Sequence, residues 1–172
     1  MALRKGKCYR RRKRSYTRIS RFRKYSFIKT KPQNRIIKYD MGDPKKKFSH
    51  IVSLVSKEKL QIRHNAIESS RLVINRKLNK LLGKDYFFKI RIYPHHILRE
   101  NKMLTGAGAD RMQQGMQKAF GKPIGLAAQV KKNQPIFSIS VDEKNINIAK
   151  EALKKGCPRL PGTYTVKIEK IN

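Results

Sequence analysis

Positive charge is concentrated at one end of this chain, and that limits what the end can fold into. The 172 residues hold 43 Lys and Arg against 11 Asp and Glu, a formal net charge of +32. The first 47 residues carry 19 of the basic groups and only two acids, Asp40 and Asp43. A segment this cationic cannot close a core of its own, and its self-repulsion calls for a polyanion. The remainder is also basic, with 24 basic and 9 acidic groups, yet its apolar residues recur with the periods of regular structure. Phosphate backbone is the usual neutralising partner for such a chain. Residues 1–47 therefore read as a basic RNA-binding extension, and 48–172 as one globular domain.

The extension alternates cations with aromatics: Tyr9, Tyr16, Phe22, Tyr25, Phe27 and Tyr39. Disordered tails have few aromatics. Rings between Arg groups suit stacking on bases while the cations hold phosphates. Arg10, Arg11, Arg12, Arg14, Arg18, Arg21 and Arg23 are the candidate phosphate contacts here. Tyr9, Tyr16 and Phe22 are the candidate stacking groups. The basic N-terminus lacks the apolar segment of a secretory signal, and its continuous Arg clusters differ from an amphipathic transit helix.

Residues 48–56 are rich in β-branched side chains and read as a strand. Ser56 is placed to cap a helix over 57–82, with Leu60, Ile67, Ile74, Leu78 and Leu81 on one face and Gly83 closing it. Arg63, Arg76, Lys77 and Lys80 lie opposite, as a solvated face or a phosphate surface. Residues 86–93 form a strand with Phe88, Ile90 and Ile92 on one side and Lys89 and Arg91 on the other. Strands at 126–130 and 136–141 pair through a polar turn. Asp142 caps a helix over 143–155 with Ile146, Ala149 and Leu153 buried, and Gly156 and Pro158 stop it. A last strand covers 163–168. Strands with two helices point to an α+β two-layer sandwich with a mixed or antiparallel sheet, one face covered by helices and the other free.

Between the strands, residues 102–123 form a long Gly-rich loop with at most one helical turn. Gly106 and Gly108 lack the third glycine of a dinucleotide fingerprint, since position 111 is Arg. What these glycines allow is close backbone approach to another molecule. Lys102, Arg111, Lys118 and Lys122 supply phosphate partners, and Gln113, Gln114 and Gln117 can meet base edges. His95, His96 and Asp110 could form an acid/base group, but one packed and one RNA-facing imidazole explains the pair more simply. There are no paired carboxylates, no Cys/His dyad and no nucleophile elbow. Cys8 and Cys157 have no metal-ligand spacing and read as free thiols. No cofactor or metal is implied, and no apolar run approaches a membrane span.

Ala109-Asp110-Arg111, Gly115-Met116 and Ala119-Phe120-Gly121-Lys122-Pro123, with Gly125 and Ala128, carry a family signature. So do residues 61–66 (QIRHNA), 92–103 (IYPHHILRENKM) and Cys8-Tyr9-Arg10. Together they resemble the L10e family of large-subunit ribosomal proteins, in its archaeal form. That family is the archaeal/eukaryotic branch of the universal uL16 group and the counterpart of bacterial L16. The length agrees with the archaeal branch, because the eukaryotic form has a longer C-terminal extension. One departure is Gln117, where the family commonly has Arg.

The resemblance implies a β-hammerhead-like motif in the sandwich and a non-enzymatic role in the cytoplasmic ribosome. It implies seating, as a single copy, on large-subunit rRNA near the base of the central protuberance and close to 5S rRNA-proximal proteins. It also implies that the loop faces aminoacyl- and peptidyl-tRNA near the peptidyl-transferase centre. Arg63, Arg91 and Arg99 then join the rRNA contacts of the domain. Lys102, Gly106, Gly108, Asp110, Arg111, Gln113, Gln114, Gly115, Lys118 and Lys122 form the tRNA-proximal loop. Two rivals remain on the residues alone. A nucleic-acid packaging protein would prefer duplex DNA and leaves the loop unexplained. An RNA-modifying enzyme built on His95, His96 and Asp110 would need turnover and a cofactor.

Overall fold

The computed structural model describes residues 4–11, 15, 22–26, 28, 30–113, 115–116 and 119–171. Among the described residues, eight strands, all paired antiparallel, and two helices longer than two turns build an α+β sandwich. A five-stranded sheet contains β1 (Asp40–Gly42), β2 (His50–Ser56), β4 (Phe87–Ile90), β7 (Pro135–Val141) and β8 (Tyr164–Lys170), in the order β1-β4-β7-β2-β8. A three-stranded sheet contains β3 (Leu60–Arg63), β5 (His96–Glu100) and β6 (Lys122–Val130), in the order β3-β6-β5.

Alternation along the strands decides which face of the larger sheet is covered. Val52, Leu54, Phe88, Phe137 and Ile139 share one core with Ile67, Ile74 and Leu78 of α1 (His64–Leu82) and Ala149, Ala152 and Leu153 of α3 (Ile146–Gly156). Phe88 and Phe137 meet edge to face, centroids 5.5 Å apart; such a pair adds about 0.5–1.5 kcal/mol beyond its buried area. The other face presents a polar row, Lys89 opposite Ser138, Ser138 opposite Ser53 and Ser53 opposite Lys167. Arg91 Nε donates to Ser138 Oγ at 2.8 Å.

The two helices cross closely because Gly156 has no side chain. A Cβ there would sit 2.7 Å from Ile74 Cδ1 and 2.8 Å from Ser70 Oγ. The Ser70 hydroxyl donates to the Gly156 carbonyl at 3.1 Å across that crossing. Gly156 is the last residue of α3, as the sequence reading placed the helix end, and it also lets the two helices pack closely.

Several boundaries depart from the sequence reading, β6 among them, which begins at Lys122 within the stretch read as loop rather than at 126. The first helix starts at His64, not at residue 57: Ser56 ends β2, its hydroxyl donating to Glu58 O at 2.8 Å within a turn. Leu60 is buried on β3 instead of on the helix, and Leu81, expected on the buried face, is 50% exposed in the last helical turn. Asp142 makes no side-chain cap; it lies 3.2 Å from Lys46 Nζ, which also reaches Asp85, and a short 3-10 turn (Glu143–Asn145) precedes α3.

Within the stretch read as the extension, Met41 of β1 pairs with Phe88 and is buried. Arg71 of α1 makes a two-point ion pair with Glu68, at 2.8 and 2.5 Å, and donates to Met41 Sδ at 3.2 Å. This clip ties α1 to the edge strand. Ile36 joins the main core, and Ile28 packs with Ile97 and Leu126.

Candidate nucleic-acid interface

The root of the extension lies against the three-stranded sheet. A 3-10 turn, Gly6–Tyr9, places the Tyr9 carbonyl to accept from Gln61 Nε2 at 3.0 Å, and the Arg10 carbonyl accepts the Gln61 N–H at 3.0 Å. Farther along, Ser15 Oγ donates to Gln129 Oε1 at 2.7 Å. The Arg63 guanidinium lies over the Tyr9 ring, 5.5 Å from its centroid, and donates to the Arg4 carbonyl at 3.0 Å. Arg4 pairs with Glu100. Burial first, and the Glu100 carboxylate second, push the Tyr9 hydroxyl above its ordinary range. Tyr9 and Arg63, both candidates for RNA contact, are thus engaged with each other.

Arg10, Arg11 and Arg23 are exposed, and Phe22 packs edge-on to Tyr25 at 6.1 Å. Arg12, Arg14, Arg18, Arg21 and Tyr16 lie outside the described residues, as do Gln114, Gln117 and Lys118 of the loop. On the domain, Arg91 is exposed while its Nε holds Ser138. Arg76 and Lys80 of α1 line an open groove of about 1120 Å³ with Lys155 and Arg159, whereas Lys77 pairs with Glu151 at 2.6 Å.

The Gly-rich loop connects β5 to β6 and has a fastened root. Arg99 Nη1 donates to the Phe120 carbonyl at 2.6 Å, and its guanidinium lies 3.7 Å from the centroid of the Phe120 ring. Next to it, Gly121 has φ +77°, and a Cβ would fall 2.7 Å from the Glu100 carbonyl carbon. Glycine is required there by both conformation and space. Gly106, Gly108 and Gly115 also have positive φ, but the space around them is open. Gly108 precedes the one-turn helix α2 (Ala109–Met112), which contains Asp110 and the exposed Arg111.

Gln113 spans the loop. Its Nε2 donates to the Lys102 carbonyl at 3.1 Å, and its Oε1 accepts from Leu104 N–H at 2.7 Å. The side chain expected at a base edge is used to shape the loop. Lys102 and Lys122 are exposed at its two ends. Between the loop root and the extension lies a cleft of about 370 Å³, lined in part by Arg4, Arg11, Asn101, Met116 and Phe120.

The two histidines separate as the alternation requires: His95 is exposed and His96 is buried. Burial, then the nearby Arg99 charge, lowers the His96 pKa. His64 is lowered by burial and by Arg35 and Arg63; its Nδ1 accepts the Arg35 N–H at 3.4 Å, which fits the neutral ring. Among the described residues no group of three or more His, Cys, Asp or Glu could hold a metal ion, and Cys8 and Cys157 are free thiols. No helix among them is long and apolar enough to cross a membrane.

Sequence reasoning missed two features of this surface. Tyr39 stacks on Tyr93 at 5.6 Å, Tyr93 meets His95 at 4.6 Å, and Lys31 lies over the Tyr93 ring at 5.6 Å. The run 92–96 contains the Tyr and His, but their stacking partner is distant in sequence. The second is a set of exposed apolar side chains in the loop, visible in the sequence as three methionines but given no role there.

A family model described as Ribosomal protein L16p/L10e matches residues 11–167. The chain belongs to that family. Among its relatives in the L16p/L10e family, the large ribosomal subunit protein uL16 of Methanococcus maripaludis strain S2 is 45% identical over 172 residues, covering 99% of this chain and 96% of the relative. Its counterpart in Archaeoglobus fulgidus is 43% identical over 171 residues, 99% and 95% of the two chains. That of Hyperthermus butylicus is 41% identical over 157 residues, 91% and 87%. The relatives named are archaeal, in agreement with the archaeal form read from the signature.

Proposed function

We propose that this L16p/L10e-family chain is a non-enzymatic structural constituent of the large ribosomal subunit. It binds large-subunit rRNA near the base of the central protuberance, next to 5S rRNA-proximal proteins, and works in the cytoplasm within the ribosome. Its loop over 102–123 lies beside aminoacyl- and peptidyl-tRNA near the peptidyl-transferase centre and supports their placement. The observation that carries the reading is the family match over 11–167 in a chain of net charge +32. The exposed Arg10, Arg11, Arg23 and Arg91, and the α1 groove, supply cations for phosphate. The fastened root at Arg99, Phe120 and Gly121 supports a loop held at a fixed position.

The deciding experiment is co-sedimentation of tagged protein through a gradient over a salt series. Stoichiometric presence in large subunits through ~0.5 M salt is expected, because non-specific phosphate binding falls steeply with salt. Release at moderate salt, or a spread over all nucleic acid, would overturn the reading. Shortening 104–114 tests the loop separately: subunit incorporation is expected to persist while tRNA binding drops.

A further inference from the structure

The loop spends the Gln113 side chain on itself and turns several apolar side chains outward. Both ends of the Gln113 amide are taken up by backbone at 102 and 104. Met103, Leu104, Met112 and Met116 are 46%, 51%, 79% and 61% exposed. Four large apolar side chains on one excursion mark a contact surface, since a free surface gains nothing from them. The Gln113 bonds draw 102–104 beside 112–113, and Asn101 Nδ2 reaches Met116 Sδ at 3.6 Å. The four thus stand on the two limbs of the loop that these bonds draw together.

The rim identifies the occupant. Exposed Lys102 and Arg111 adjoin these side chains in sequence, exposed Lys122 stands at the loop's other end, and Arg4 pairs with Glu100 at the loop root. An apolar centre with a cationic rim matches an RNA strand, whose phosphates meet the rim while ribose and base faces meet the centre.

We infer that Met103, Leu104, Met112 and Met116 are the surface by which the loop holds RNA, packing on ribose and base faces, with Gln113 as the positioning residue. This rests on the reading that the loop lies beside tRNA. Methionine is unbranched and polarisable, and adapts to irregular surfaces. Every nucleotide offers a flat face whatever its identity. Such a contact accepts different tRNAs without reading their sequence, and unlike phosphate pairing it contributes little to salt dependence.

The test uses large subunits carrying the full chain as wild type, M112Q/M116Q or M112L/M116L, with filter binding of two deacylated tRNA species over a salt series. A benzophenone amino acid at position 112 reports what lies against the loop. M112Q/M116Q is expected to weaken both tRNAs roughly tenfold, equivalent to ~1.4 kcal/mol, without changing the salt slope. M112L/M116L is expected to bind as wild type, and the benzophenone to yield an RNA adduct. An RNA adduct with undiminished binding by M112Q/M116Q, or equal loss in the leucine variant, overturns the apolar contact and leaves the loop's placement standing. A protein adduct, or none, overturns both.

Discussion

Replacing Gly121 by Ala tests the closure of the loop root. Two costs apply at this site. Alanine in the left-handed region costs about 1–2 kcal/mol. In addition, the new methyl would lie 2.7 Å from Glu100 C, 2.8 Å from Asn101 N and 2.9 Å from Glu100 O. These are backbone atoms, so no side chain can swing aside. The last pairing of β5 with β6, Glu100 opposite Lys122, has to open. Losing a ladder hydrogen bond there adds about 0.5–1.5 kcal/mol.

Gly115→Ala is the control: its φ is +64° and nothing lies within 4 Å, so only the conformational cost applies. Urea unfolding of the full chain in ~0.5 M salt, which screens the self-repulsion, should place G121A about 0.5–1.5 kcal/mol below G115A, since the conformational cost is common to both. At roughly 2–4 °C per kcal/mol for a chain of this size, melting temperatures should differ by about 1–6 °C. Equal destabilisation by the two would show that the root is not closed against the end of β5.

Two further outcomes follow from buried ionisable groups. His64 and His96 both have lowered pKa values in the folded state, chiefly through burial. The unfolded chain then binds more protons below about pH 6.5. Their contribution is complete above that pH and is lost as pH falls through it. Urea midpoints at pH 7.5 and 5.5 should show this fall, and H96Q should reduce it; a slope unchanged by H96Q would contradict the buried assignment. Arg71→Ala leaves Glu68 without its two-point partner and Met41 without its contact. A loss of about 3–5 kcal/mol is expected, measured by urea unfolding, and a loss under 1 kcal/mol would show that the pair is not closed.

The sequence disclosed what periodicity can carry. The α+β class, the strand β2, the alternation of Phe88 and Ile90 against Lys89 and Arg91, and the buried face of α3 are all local patterns. The start of α1 was hidden because Leu60 lies seven residues before Ile67 and suits a helical face as well as a strand. Only its pairing with Val130 decides for the strand. The strand β1 has no local signal at all, since Asp40-Met41-Gly42 contains no β-branched residue and extends only because β4 offers an edge. At the interface, charge pointed to the Arg and Lys groups, but charge does not reveal which of them are already engaged. Arg63 on Tyr9, Arg99 on Phe120 and Gln113 across its loop are contacts between residues 9 to 54 positions apart. No spacing rule anticipates them.

The order β1-β4-β7-β2-β8 has a consequence for a chain made from its N-terminus. β7 lies between β4 and β2, so those earlier strands are joined only when residues 135–141 have left the ribosome that is making them. At about 5–20 residues per second, the extension is out for on the order of 5–20 s before the sheet can close. Throughout that interval the most cationic part of the molecule is present without the folded body that fixes its root. Nascent chains are thus exposed to any RNA nearby before they can seat correctly.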